Sequence, residues 1–234
     1  MDFKNAKVLV TGGSLGIGKE TAHQLIEKGA KVCIAARNIE RCAKVADEIG
    51  AIPIQADVSD EKDVIRMVQE ANKKMGGYNV LINNAAYGGF AKLVETDTEE
   101  FQEMIQTNLV GAMMVGRESA KIFVENDYGN IINISSSAGK KGFAGGSMYC
   151  ATKFGLGGLT ECWRAELRPH NIRVMQMNPS EVQTHFSKNA GMGNREFNKT
   201  KLVASDIAET FVAMLALPDR GFITESSVWA TNPQ

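Results

Sequence analysis

Short apolar runs alternate along the chain with stretches whose apolar side chains recur every three or four positions. The first pattern reads as buried strands and the second as helices with one inward face. Strands are expected at Lys7–Thr11, Lys31–Ala35, Ala51–Gln55, Val80–Ile82, Ile131–Ser135, Ile172–Met177 and Val228–Ala230. Helices are expected between them. Their stripes are Ile17, Thr21, Leu25 and Ile26; then Val64, Met67, Val68, Ala71 and Met75; then Phe101, Met104, Ile105, Asn108, Leu109 and Ala112. Further helices run over Glu40–Ile49 and Ser147–Leu167, and a last one presents Ile207, Phe211, Met214 and Leu215. Ser59, Thr96 (with Glu99 as a capping box) and Ser205 are the expected helix caps. Regular strand–helix alternation confines the chain to an α/β fold, a mostly parallel sheet of about seven strands with helices on both faces. Pro53 places the third strand at an edge. The chain shows neither an internal repeat nor a linker, so a single domain over residues 1–234 is expected.

The first strand runs into Thr11-Gly12-Gly13-Ser14-Leu15-Gly16-Ile17-Gly18 and then a helix. A glycine-rich turn in that context lets backbone approach a pyrophosphate, and the helix N-terminus offers free N–H groups. The turn residues Gly12, Ser14, Leu15, Gly16, Ile17 and Gly18 are thus candidate nucleotide contacts; a turn with no ligand is the other reading. The second strand ends in Ala35-Ala36-Arg37-Asn38, without the acid that grips ribose hydroxyls in NAD sites. Arg37 there can meet a 2′-phosphate, with a hydroxyl from Ser14, which favours NADP over NAD. Arg37 as an ordinary surface side chain is the alternative. Asp57-Val58 follows the third strand at the carboxyl edge, where Asp57 can accept from an adenine amino group or simply begin a helix.

Tyr149 and Lys153 lie four apart in a helical stretch and so share a face. An ammonium beside a phenol lowers the phenol's pKa, and Ser136 can hold a carbonyl oxygen next to it. Such a trio moves a proton to or from an alcohol oxygen while hydride moves elsewhere.

Composition narrows the classes. Lys and Arg number 26 against 27 Asp and Glu, a net charge of −1, which gives no basic surplus for nucleic acid and no block for a membrane surface. Cys33, Cys42, Cys150 and Cys162 have no paired spacing, so free thiols in a reducing compartment are expected. Three scattered histidines argue against a metal cluster. No signal-peptide pattern or membrane-length apolar run occurs, and a cytoplasmic protein is expected.

With the glycine turn, Asn83-Asn84-Ala85, Asn108, Ser136, Tyr149 and Lys153 in order, the chain resembles the short-chain dehydrogenase/reductase family over essentially its whole length. The resemblance implies a Rossmann-type doubly wound sheet, an NADP(H) cofactor and reversible reduction of a carbonyl. It implies Tyr149 as general acid and base, with Lys153 lowering the phenol pKa and holding the nicotinamide ribose. Ser136 would orient the substrate carbonyl, and Asn108 would fix a helix kink and a proton-relay water. Asn84 would touch the adenosine half; Pro179, Val182 and Thr184 would lie at the nicotinamide carboxamide. Among relatives the likeness is to 3-oxoacyl-[acyl-carrier-protein] reductases and similar NADPH-dependent carbonyl reductases, and it suggests a homotetramer or homodimer. NAD(H)-dependent alcohol, sugar or steroid dehydrogenases are the alternative within the family; a non-catalytic sensor of nicotinamide nucleotides and an oligomeric scaffold are the alternatives outside it.

Three places depart from the family pattern. Ala86 and Ser180 stand where glycine is usual, and the segment Phe222–Asn232 lacks the usual paired glycines. The first two imply a narrower nicotinamide pocket; the third puts the usual C-terminal subunit contacts in doubt. Substrate choice is assigned to a lid around 184–201. Phe186, Met192 and Phe197 either line an apolar pocket or pack the lid down. Lys188, Arg195, Lys199 and Lys201 either face an acidic partner such as a carrier protein or are solvated.

Overall fold

The computed structural model describes residues 1–186, 190 and 196–232. Its elements in chain order are β1 (Lys7–Thr11), α1 (Gly16–Glu27), β2 (Lys31–Ala36), α2 (Ile39–Ile49), β3 (Ile52–Gln55), α3 (Glu61–Met75) and β4 (Val80–Asn83). Then come α4 (Thr98–Ile105), a π-helical segment (Gln106–Gly111), α5 (Ala112–Glu125), β5 (Gly129–Ile134), α6 (Ser147–Leu167) and β6 (Ile172–Pro179). Short strands β7 (Val182–Gln183) and β8 (Leu202–Val203), α7 (Ala204–Ala216) and β9 (Glu225–Val228) complete the chain.

The main sheet has the order β3-β2-β1-β4-β5-β6-β9, every pairing parallel, with β3 outermost as Pro53 requires. Val8 aligns with Val32 on one side and Val80 on the other, so strand order reverses at β1. A crevice forms outside the carboxyl ends of the strands at such a reversal. Alternate residues of β1 serve opposite layers. Val8 and Val10 pack with Leu25, Val45, Phe211 and Leu215 of α1, α2 and α7. Leu9 packs with Val64, Met67, Val115 and Phe123 of α3 and α5.

Three helix caps differ from the sequence expectation. Asp60, not Ser59, accepts the backbone N–H of Asp63, and Asp97, not Thr96, accepts that of Glu100. Ser205 lies inside α7, whose start is held by the Asp206 carboxylate accepting the N–H of Val203 at 2.9 Å. In each case a carboxylate beside the hydroxyl residue has the stronger affinity for free helix N–H groups. The last strand is Glu225–Val228 rather than Val228–Ala230, because Ser180 and Gln176 draw that segment onto β6 through backbone bonds. The long helix expected through Asn108 is interrupted by the π-helical segment. β7 and β8 form a separate two-stranded sheet that closes the base of the 184–201 segment.

Candidate active site

A cleft of about 440 Å³ opens at the strand reversal. One wall is the turn after β1. Gly12 and Gly16 adopt φ of +65° and +52°, which glycine tolerates and other residues rarely do. Helix α1 then starts with no side chain capping it, so its free N–H groups remain available to an anion. Gly12, Ser14, Leu15, Gly16 and Ile17 line the cleft. Gly18 does not; a Cβ there would lie 2.5 Å from the Gly12 carbonyl oxygen, so it permits the turn to fold back on its own helix. Asn84 braces the same turn: its amide nitrogen donates to Thr11 O at 2.8 Å and Gly12 O at 3.1 Å. The amide expected to reach adenosine is therefore engaged by the protein, although Asn84 still lines the cleft.

At the β2 end, Arg37 is exposed and lines the cleft. Arg41, missed in the sequence, joins it two residues into α2, its Nε donating to Ser14 Oγ at 3.4 Å. Its signal was a second arginine one turn beyond the first. Asp57 and Val58 lie on the cleft floor, but Asp57 Oδ1 already accepts from Ser59 N at 2.9 Å and Ser59 Oγ at 2.6 Å. The carboxylate holds the turn into α3 as well as facing the cleft.

The structure brings Ser136, Tyr149 and Lys153 together in this cleft. Ser136 Oγ accepts the N–H of Ala138 at 3.1 Å, which fixes its rotamer, and its hydroxyl lines the same cleft as the Tyr149 phenol. Tyr149 and Lys153 lie one turn apart on α6, both buried. Lys153 Nζ donates to Ile134 O at 2.8 Å and sits 5.6 Å from the Tyr149 ring centroid. The expected depression of the phenol pKa is not found. Burial pushes the Tyr149 phenol well above its ordinary value, and the neighbouring Ser136 hydroxyl offsets that only in part. Burial likewise pulls the Lys153 ammonium down from 10.5 to about 8. Desolvation outweighs attraction because both groups lie in an apolar layer and the ammonium is aimed at a backbone carbonyl.

Asn108 does not line the cleft. It is fully buried in the π-helical segment, where its Oδ1 accepts the N–H of Tyr87 at 3.0 Å and its Nδ2 donates to Tyr87 O at 2.8 Å. It thus fastens the loop after β4, and π-bulges often sit where a functional side chain must be placed.

Pro179, Val182 and Thr184 line the opposite rim, with Ala86 and Ser180 beside them. Thr184 lies 3.3 Å from where a Cβ of Gly16 would be, so this rim closes directly over the glycine turn. From the 184–201 segment, Phe186 enters the cleft, whereas Phe197 is 70% exposed. Lys201 is paired with Glu181 at 2.9 Å rather than free for a partner. Met192, Lys188 and Arg195 lie outside the described residues.

The short chain dehydrogenase family model matches residues 6–195. The NADP-dependent 3-hydroxy acid dehydrogenase of Schizosaccharomyces pombe is 31% identical, covering 96% of this chain and 92% of that protein. The 3-oxoacyl-[acyl-carrier-protein] reductase of Bos taurus is 33% identical, covering 89% of this chain and 90% of its own. Among solved structures, the closed form of a serine dehydrogenase complexed with NADP+ superposes with a TM-score of 0.89 at 29% identity, over 94% of this chain and 93% of that one. With its matching fold and the coincidence of glycine turn, serine, tyrosine and lysine in one cleft, the chain belongs to the short-chain dehydrogenase family.

Proposed function

We propose that this protein is an NADP(H)-dependent oxidoreductase that interconverts a carbonyl compound and its alcohol. The observation that carries the reading is the paired hydroxyls of Ser136 and Tyr149, with Lys153 one helical turn away, in the same cleft as the uncapped glycine-turn helix. The residues present suit the cofactor. The α1 N-terminus accommodates a diphosphate, and the Arg37 and Arg41 guanidinium groups suit a 2′-phosphate. A relative named for NADP dependence and a solved neighbour complexed with NADP+ support the same choice.

NADPH, when bound, supplies the hydride that the carbonyl carbon accepts. Tyr149 gives its phenolic proton to the carbonyl oxygen in reduction and takes the alcohol proton in oxidation. Ser136, whose oxygen is already held by the Ala138 N–H, directs its own proton toward the substrate oxygen. Lys153 would hold the nicotinamide ribose and stabilise the phenolate with the donors it does not give to Ile134 O. Asn108 acts at a distance, by fixing Tyr87 and the loop that carries Ala86.

The names of relatives make 3-oxoacyl thioesters and 3-hydroxy acids the first substrates to try. A cytoplasmic location fits the free cysteines, and light scattering reads the oligomeric state. Among the described residues, no helix is long and apolar enough to cross a membrane. The direct test is nicotinamide absorbance on mixing the protein with NADPH or NADH and a panel of ketones, oxo acids and oxoacyl thioesters. Carbonyl-dependent oxidation of NADPH is expected. Binding of NADPH without turnover of any carbonyl would instead mark a sensor.

A further inference from the structure

The reacting end of the cleft is walled by aromatic rings. Phe90 meets the Tyr149 ring edge-on with centroids 5.8 Å apart at 69°, and Phe186 lies 5.5 Å from the same ring. Phe143 extends this wall to the cleft mouth, 5.8 Å from Phe90. Two of the rings occupy places that exist only because a side chain is missing. A Cβ on Gly88 would fall 2.6 Å from Phe186 Cζ, and one on Gly146 would fall 2.7 Å from Phe143 Cε2. The backbone bond from Ala91 N to Gly145 O, 3.0 Å, ties the two ring-bearing loops together. Behind the rings, Met104, Ala138 and Met148 are buried in the same apolar cluster.

Charge is distributed unevenly in the cleft. Among the described residues its arginines are Arg37 and Arg41, at the β2 end, and its lysine is Lys153, bound to Ile134 O. Among the described residues the rings in contact with that of Tyr149 are those of Phe90 and Phe186, with the Ser136 hydroxyl and His185 also lining the cleft. A free carboxylate placed there would be desolvated against hydrocarbon, whereas a flat apolar group would gain edge-to-face contacts of the kind the rings already make with each other.

We propose that Phe90, Phe143 and Phe186 form the substrate subsite, and that the substrate is a neutral carbonyl compound carrying a flat apolar group beside the carbonyl, an aryl or cyclic ketone, rather than a free oxo acid. The inference rests on the oxidoreductase reading above and adds the substrate class. In the reaction the carbonyl carbon gains hydride from NADPH, its oxygen gains the Tyr149 proton, and a secondary alcohol and NADP+ are released.

The test compares kcat/KM for acetophenone, a cyclohexanone, 3-oxobutanoate and a 3-oxobutanoyl thioester with NADPH. The aryl or cyclic ketone is expected to exceed the oxo acid by at least about tenfold, the scale on which apolar pockets discriminate. Phe143→Ala and Phe186→Ala should each raise KM for acetophenone about tenfold while the Kd for NADPH, read by cofactor fluorescence, stays near wild type and reports that the fold is intact. Calorimetric binding of acetophenone to Tyr149→Phe loaded with NADPH reads the subsite without turnover, and heat of binding that disappears on adding Phe186→Ala is expected. Preference for the oxo acid or the thioester, or ring variants with unchanged KM, overturns the substrate class and leaves the oxidoreductase reading standing. Acetophenone binding with no carbonyl turned over supports the subsite and removes the oxidoreductase reading.

Discussion

Lys153 lies one turn from Tyr149 on the same helix, yet its ammonium points at the backbone of β5, donating to Ile134 O at 2.8 Å, and not at the phenol. The side chain is anchored where the strand ends. The two functions proposed for it, holding a ribose and stabilising a phenolate, would fall to the two N–H donors that the Ile134 carbonyl does not take. Burial meanwhile drives the two groups toward their neutral forms, Tyr149 upward and Lys153 down to about 8.

Tyr149→Phe removes the proton donor and keeps the ring that packs against Phe90 and Phe186. The Kd for NADPH should change less than about threefold, while kcat for carbonyl reduction falls by roughly 10²–10⁴, the usual contribution of a placed general acid. Stopped-flow absorbance and cofactor fluorescence measure the two. Turnover equal to wild type would remove Tyr149 from the chemistry.

The buried lysine makes stability depend on pH in a defined direction. Below pH 8 the folded and unfolded chains both carry the charge, and the burial cost is present in full. Between about 8 and 10.5 the folded lysine is neutral while the unfolded one keeps its proton, so stability rises with pH. Tyr149, shifted up, has the opposite sign: its contribution is present below its ordinary pKa of 10 and declines as pH rises beyond it. Subtracting the denaturation curve of Lys153→Met from that of wild type isolates the lysine. The difference should rise by about 3 kcal/mol from pH 8 to 10.5. A flat difference would show that the ammonium is solvated.

The layered sheet was legible because strand and helix periods differ and glycines mark the ends. Pro53 even located the edge strand. The pairing of Tyr149 with Lys153 was legible as spacing, since the two share a helical face wherever the helix goes. What spacing does not carry is competition for partners. Ser59, Thr96 and Ser205 each neighbour an aspartate, and the carboxylate took the helix terminus. Asn84 and Asp57 face the cleft but also satisfy backbone groups of their own loops. The balance at Tyr149 depended on how deeply α6 is buried, which no local pattern encodes. The helix kink at Asn108 was expected only from the family resemblance, and its π-helical form, at which Gly111 comes close to the Val58 carbonyl, lies beyond any local pattern.

Arg37→Ala should weaken NADPH about ten- to a hundredfold and alter NADH less than about threefold, because a charge-assisted bond to a 2′-phosphate contributes about 1.5–3 kcal/mol. Arg41→Ala should act in the same direction, by less, since its Nε also serves Ser14. Fluorescence titration at low and high salt checks both; the wild-type preference for NADPH should narrow as salt rises. Equal losses for the two cofactors would show that Arg37 does not read the phosphate.

Asn108→Ala leaves both backbone groups of Tyr87 without their partner. About 1–3 kcal/mol of stability should be lost, the cost of an unsatisfied buried group. The loop bearing Ala86 would loosen, so kcat should fall more than the Kd for NADPH rises. Asn108→Asp keeps the acceptor for the Tyr87 N–H and loses the donor, so its kcat should fall between those of wild type and alanine. Thermal denaturation and steady-state kinetics separate this positioning role from a purely structural one, in which kcat of the still-folded fraction would not move.

Gly18 and Gly158 provide a matched pair for the glycine turn. An added Cβ at Gly18 would meet Gly12 O at 2.5 Å and Asn84 Nδ2 at 2.6 Å, whereas at Gly158, exposed on α6, it would meet nothing within 4 Å. Gly18→Ala must therefore push the turn off its helix and break the amide brace from Asn84. A loss of about 1–3 kcal/mol in stability is expected from overpacking, together with at least a tenfold weaker Kd for NADPH, because the displaced backbone is the surface proposed to meet the diphosphate. Gly158→Ala should instead stabilise by about 0.5–1 kcal/mol through helix propensity alone and leave cofactor affinity unchanged. If the two variants bound NADPH equally well, the turn after β1 would not be the cofactor's cradle, and the close fit of Gly18 beneath Gly12 would serve helix packing alone.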